Sequence, residues 1–153
     1  MRIAPAIRGL KRRARAAQVP IIYVNDNFGQ WRSSFEQLLA RCISPDQPSS
    51  SFVRQLVPEP EDYVVLKPKD SAFYLTPLEI LLKQFGTRRL IIAGFCTDSC
   101  ILFTAQDAYM RDIELLVPAD CVASQVMEDH LAALKQMQSA VKADVADASQ
   151  IEF

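Results

Sequence analysis

The sequence predicts an α/β domain with a mostly parallel sheet and helices on both faces. Two observations carry this. Short apolar or β-branched runs alternate with longer amphipathic stretches along the chain, the order expected when each strand is followed by a crossover helix. Residue types that carry chemistry also collect directly after those short runs, where open α/β sheets bind ligands. The 153 residues suit one domain spanning 1–153, and a chain that is 50% hydrophobic and 23% charged has enough apolar surface for a buried core.

The elements follow in order. Ile3, Ile7, Leu10 and Ala14 recur at helical spacing, so 3–17 is predicted as an amphipathic helix. The basic run Lys11-Arg12-Arg13-Ala14-Arg15 reads as one solvated helix face. Pro20 stops that helix, and Ile21-Ile22-Tyr23-Val24 reads as a short buried strand. Asn25-Asp26-Asn27-Phe28-Gly29 is turn chemistry. Residues 33–42 read as a helix. The stretch 43–62 holds four prolines and several serines, so it is expected to be irregular, with one short helix near Phe52–Leu56. Tyr63–Leu66 is a second strand. Leu78–Phe85 is a helix closed by Gly86, where a left-handed cap costs glycine little. Leu90–Ala93 is a third strand, and Thr97-Asp98 offers an N-cap for a helix running to about Arg111. Ile113–Val117 is a fourth strand and 126–141 a helix. Val145 and the Ile151 tail are expected to add a last edge element.

Bulk properties exclude several classes. A formal net charge of -1 gives no electrostatic case for nucleic acid. No apolar run approaches the ~20 residues of a membrane span, and Arg2 is followed by no apolar stretch of a secretory signal. Cys42, Cys96, Cys100 and Cys121 sit in or beside apolar strand and helix patterns, which fits a reduced, cytoplasmic setting better than a disulfide framework.

The segments after the strands are Asn25-Asp26-Asn27, Lys67-Pro68-Lys69-Asp70, Gly94–Cys100 and Asp120. In Gly94-Phe95-Cys96-Thr97-Asp98-Ser99-Cys100, a strand ends in glycine and a helix starts near Ser99. Cys100 then falls in the first helical turn, where partial positive charge and unpaired N–H groups favour thiolate. The same N–H groups can hold an acyl-transfer oxyanion. Position alone leaves Cys100 balanced between nucleophile and small buried residue. Cys96 reads as structural, because a Cys96–Cys100 metal pair would have a single histidine, His130, to help it and no second cysteine pair follows. Lys67 follows a strand and could steady negative charge. An exposed strand-end lysine is the plainer alternative, and Lys69 is its rival, two residues on.

Lys67-Pro68-Lys69-Asp70-Ser71-Ala72-Phe73 with Thr76 and Leu78 resembles the lysine segment of the isochorismatase-like cysteine hydrolases. Gly94–Cys100 with Ile101, Thr104-Ala105 and Asp107-Ala108 resembles that family's nucleophile segment. Val117-Pro118-Ala119-Asp120-Cys121 resembles the strand and acidic turn that follow. The likeness spans about residues 3–148. It implies a three-layer α-β-α fold and a Cys–Lys–Asp catalytic set, with Cys100 as nucleophile and Lys67 assisting ionisation and proton transfer. It also implies a non-proline cis peptide at Phe95–Cys96, which would aim the N–H groups of Cys96 and Cys100 at the oxyanion. The retained cysteine tilts the expected reaction towards a small amide-type (C–N) substrate. Homo-oligomerisation fits the family pattern, and no cofactor is implied.

The sequence departs from the family in two places. The family's catalytic aspartate ends a first, central strand, which lies between the equivalents of Ile21–Val24 and Leu90–Ala93. This chain begins at Met1 inside the helix that follows that strand. Three explanations compete. The chain is N-terminally truncated, which the intact lysine and cysteine segments favour; it is an inactive relative serving as a non-catalytic subunit or binding module; or Asp26 substitutes in part. The second departure concerns metal. Nicotinamidases of the family use an Asp-X-His…His set after the second strand, but here the place reads Asn25-Asp26-Asn27-Phe28-Gly29-Gln30-Trp31, without histidine. No catalytic metal is expected, nicotinamide ranks low as a substrate, and His130 reads as a surface or packing residue. Asp26, Phe28, Trp31, Phe73 and Tyr74 fall near strand ends as candidate pocket residues, although aromatics near turns more often pack. Arg32 could meet a carboxylate or simply be exposed.

Overall fold

The computed structural model describes residues 3–32 and 34–153. Its helices are α1 (Ile3–Ala16), α2 (Phe35–Cys42), α3 (Ser50–Val53), α4 (Leu78–Gln84), α5 (Leu102–Tyr109) and α6 (Met127–Ala140). Its strands are β1 (Ile22–Asp26), β2 (Tyr63–Lys67), β3 (Arg89–Ile91), β4 (Gly94–Phe95), β5 (Glu114–Leu116) and β6 (Val122–Ala123). Strand and helix alternate as the sequence predicts, and every strand pair is parallel. The start of the helix expected at Ser33 lies outside the described residues. Within them, Ser34 caps α2 through a reciprocal exchange with Gln37.

Alternation along the strands builds three layers. Leu90, Ile92, Leu115 and Val117 face one way, into the main core with Leu78 and Leu82 of α4, Leu102, Ala105 and Ala108 of α5, and Leu134 and Met137 of α6. Ile91, Ala93 and Leu116 face the other way, onto Ala6, Ile7 and Leu10 of α1. A period of two on each strand thus supplies two helical faces. Gly86 (φ +63°) closes α4, as expected. The Thr87 N–H bonds the Leu82 carbonyl and the Gly86 N–H that of Lys83, the two bonds of a Schellman cap.

The parallel ladder is divided. Among the described residues β1 pairs with β2 and β3 with β5, without a bond between the pairs. The division falls where the family resemblance places its first, central strand. It also corrects the reading of Ile21–Val24 as a buried strand: most of β1 is only half-buried, because among the described residues β1 pairs with β2 alone.

Other boundaries shift for local reasons. β1 extends through Asn25 and Asp26, because pairing with β2 continues to the Asp26–Lys67 register pair. The turn starts one residue later, where Asn27 Oδ1 accepts from the Gly29 N–H at 2.9 Å. The predicted third strand, Leu90–Ala93, forms as the shorter β3, and β4 arises in the segment expected as a turn, where it pairs with β6. Asp144 bridges to Leu116 as an edge element beside β5. Ile151 instead packs under α1, where Arg13 donates to the carbonyls of Ala148 and Ile151.

The basic run of α1 is not a uniformly solvated face. Helical spacing sends Lys11 and Arg15 to one flank, where both meet Asp62, and Arg13 to the other. Arg12 is the exposed one. Burial alone would raise the Asp62 carboxyl. The Glu59 N–H, Arg15 and Lys11 outweigh it and hold the group below the ordinary carboxylate range. Lys11 also reaches the Tyr23 hydroxyl, so this cluster ties α1 to β1 by polar contacts.

Candidate active site

The site begins with strand register. Asp26 and Lys67 are Cα partners at the carboxyl ends of β1 and β2. Lys67 is only 4% exposed, so its ammonium needs partners inside the protein. It has two: Nζ bonds Asp26 Oδ1 and lies 3.4 Å from Cys100 Sγ. The rivalry between Lys67 and Lys69 is settled by the pleat and the strand end, since Lys69 is exposed. Asp26, taken from the sequence as a turn and pocket residue, is the carboxylate that faces the buried lysine.

Cys100 arrives from the other half of the sheet. Gly94 has φ +126°, a conformation open to glycine, and the Phe95–Cys96 peptide is cis. The chain then forms a π-helical turn over Thr97–Ile101 before α5, where an α-helical start with a Thr97-Asp98 cap was expected. The Ile101 N–H reaches back five residues to the Cys96 carbonyl at 3.1 Å. Such wide turns are rare and concentrate at functional sites. Cys96 stands beside the turn in a different environment. Burial first, then Asp98 and Cys100, push its thiol up, so it keeps its proton where a nucleophile would lose it. Cys121 is pushed up to about 12, by burial and then by Asp120.

The two motif segments dock on each other. The Thr104 hydroxyl of α5 accepts from the Ala72 N–H at 2.9 Å, and Ser71 donates to Asp107. Ala105 and Ala108, both 0% exposed, allow the close approach. This docking fixes the loop after Lys67 against α5, the helix that continues from the turn holding Cys100. It gives a physical reason for Ser71-Ala72-Phe73 and Thr104-Ala105…Asp107-Ala108 to occur together.

The aromatic candidates divide. Phe73 is in the main core with Arg111 over its ring at 4.6 Å. It packs in the core and lines a depression beside α4 with Glu79, Leu82 and Arg111. Tyr74 borders a shallow depression of about 320 Å³ with Lys69, Asp70, Ser71, Phe103 and Asp107. Phe28 and Trp31 project into solvent, 67% and 78% exposed, and Arg32 is exposed as well. Phe95 stacks at a tilt on Phe52 of α3, with ring centres 4.9 Å apart, so the proline- and serine-rich segment reaches the nucleophile turn.

His130 is neither a surface nor a simple packing residue: its Nδ1 lies 2.9 Å from the hydroxyl of fully buried Thr97. Sequence reading missed this contact because 33 positions separate the partners. A metal of the nicotinamidase kind does not fit these residues. Asp26 is engaged by Lys67, Asn25 and Asn27 flank it, and among the described residues no three His, Cys, Asp or Glu side chains converge.

A three-layer α/β domain with cysteine, lysine and aspartate gathered at the carboxyl ends of parallel strands is the architecture of the isochorismatase-like hydrolases. The chain belongs to the isochorismatase family, since the family model described as the isochorismatase domain matches residues 1–150. It is 39% identical over 150 residues to the isochorismatase family protein YaaI of Bacillus subtilis (strain 168), covering 98% of this chain and 82% of that protein. Among solved structures, N-carbamoylsarcosine amidase from Thermoplasma acidophilum superposes with a TM-score of 0.78 at 25% identity, covering 100% of this chain and 86% of that one. The nicotinamidase SaPncA from Staphylococcus aureus gives 0.72 at 26% identity, covering 95% and 82%. Among the described residues no helix is long and apolar enough to cross a membrane.

Proposed function

We propose that this chain is a cysteine hydrolase that cleaves a small amide-type C–N bond in a reducing, cytoplasmic setting. The observation that carries the reading is the position of the Lys67 ammonium between Asp26 and Cys100 Sγ. A lysine held by a carboxylate can serve as counter-ion to a thiolate and as a proton carrier. In this scheme thiolate Cys100 attacks the carbonyl carbon and forms a C–S bond, and backbone N–H groups of Cys96 and Cys100 hold the oxyanion. Lys67 gives its proton to the departing nitrogen as the C–N bond breaks. Water then attacks the thioester, its proton returns to Lys67, and the thiolate leaves. Asp26 keeps Lys67 oriented through both steps. No step is assigned to a metal, because the donor set does not fit one. The relatives named as an amidase and a nicotinamidase support a C–N bond as the target.

The reading as a non-catalytic subunit rested on the missing family aspartate, and the Asp26 carboxylate on Lys67 supports the catalytic reading over it. Iodoacetamide labelling at neutral pH, followed by peptide, tests the proposal. Cys100 is expected to label at least about tenfold faster than Cys42, as an activated thiolate does. Equal labelling of the two thiols would remove the nucleophile.

A further inference from the structure

We infer that His130 and Ser124, which lie outside both motif segments, are positioning residues that hold the nucleophile turn in register with Lys67. The inference rests on the reading of Cys100 as nucleophile. The turn Thr97–Ile101 has five-residue hydrogen-bond spacing, from Ile101 to Cys96 and from Leu102 to Thr97. That spacing is seldom favoured by local sequence, so outside contacts must select it. Two such contacts come from the last third of the chain. Thr97, 0% exposed, needs a partner for its hydroxyl, and His130 Nδ1 on α6 provides it at 2.9 Å. Asp98 is clasped at two points by Ser124 in the β6–α6 connection. The Ser124 hydroxyl accepts from the Asp98 N–H at 3.2 Å and donates to Asp98 Oδ1.

The geometry gives these contacts a catalytic consequence. Thr97 and Asp98 are fixed from the α6 side, whereas Lys67 approaches Cys100 from β2. Cys100 follows His130's anchor at Thr97 by three positions of the turn, so rotation of the turn moves Sγ relative to Nζ. The 3.4 Å separation between sulfur and ammonium thus depends on both anchors. A small misplacement at a reacting atom costs rate far more than it costs stability. The Thr97–His130 bond forms with either ring tautomer, since a hydroxyl both donates and accepts.

The test uses the whole chain and reads the peptide-resolved rate of Cys100 alkylation against pH, together with the thermal midpoint. Thr97→Val and His130→Leu remove the bond. They are expected to slow Cys100 labelling at pH 7 roughly tenfold and to raise the pH midpoint of labelling by about one unit. Thr97→Ser, which keeps the hydroxyl, and His130→Asn, whose amide reaches the Nδ1 position, are expected to restore labelling to within about twofold of the parent. Ser124→Ala, at a half-buried loop position, tests the second anchor without touching the core and is expected to slow labelling about threefold. If Ser124→Ala and whichever bond-removing variants fold all show the parent's rate and midpoint, the anchors serve stability alone and the inference falls. If the parent's own Cys100 is no faster than Cys42, the proposed function fails first, a different result.

Discussion

The two halves of the sheet are built differently. The half formed by β3 and β5 rests on an apolar core in which α5 and α6 contribute residues of zero exposure, such as Ala105, Ala108 and Met137. The half formed by β1 and β2 leaves β1 mostly half-buried and is tied to α1 by charge, through Lys11, Arg15 and Asp62. The candidate site spans the division, with Cys100 from the first half and Lys67 and Asp26 from the second. A well-packed half therefore fixes Cys100, and a polar half supplies the lysine and carboxylate that face it. Their relative placement depends on the docking of Ser71 and Ala72 onto Asp107 and Thr104.

The most severe way to break this arrangement is at the bridge itself. Lys67→Ala is expected to lower hydrolysis of a primary amide, followed by ammonia release, by about 10²–10⁴-fold, the range for loss of a positioned proton carrier. Asp26→Asn should cost less, roughly 10–100-fold, because it loosens Lys67 without removing it. If Asp26→Asn leaves the rate unchanged while Lys67→Ala abolishes it, Asp26 is only a structural neighbour and the working carboxylate lies elsewhere.

A smaller effect is expected where the polar half is tied to α1. Asp62→Asn is expected to destabilise the fold by about 1–3 kcal/mol in urea titrations, with little change at Cys100. The Asp62 carboxyl is held below its ordinary range. Its stabilising contribution is thus full above the unfolded carboxylate value, near pH 4, and fades as pH falls through the lower folded value. A variant whose acid-side loss of stability matches the parent's would show that the cluster is not the tie between the halves.

The smallest effect concerns Glu79, a half-buried residue of α4 whose carboxylate faces solvent-exposed Lys83. Lys83 and then Arg111 bring its carboxyl down to about 2. Solvent screens such pairs, so Glu79→Gln should leave the melting temperature nearly unchanged. Titration by NMR should nevertheless show Glu79 charged throughout the range where ordinary glutamates protonate.

The sequence reached far on local matters. Alternating runs predicted the order of strands and helices, because burial on two faces requires that periodicity. Gly86 marked the end of α4, because only glycine takes that cap cheaply. The two motif segments pointed to Lys67 and Cys100, and the resemblance pointed to the cis bond at Phe95–Cys96. Register and long-range contact were less legible. Whether Asp26 ends a strand or starts a turn depends on how far β1 pairs with β2. Phe73 and Tyr74 are neighbours in sequence, yet one is core and the other exposed.

The sequence by itself determined the family and the element order and singled out Cys100 and Lys67 as candidates, since these follow from patterns local to each segment. Tertiary structure alone decided that Asp26 is the carboxylate at Lys67, that Lys67 rather than Lys69 meets the sulfur, and that His130 and Ser124 grip the turn. Each of those contacts joins residues at least 26 positions apart. Contacts over such distances are set by strand register and helix packing, which no local pattern encodes.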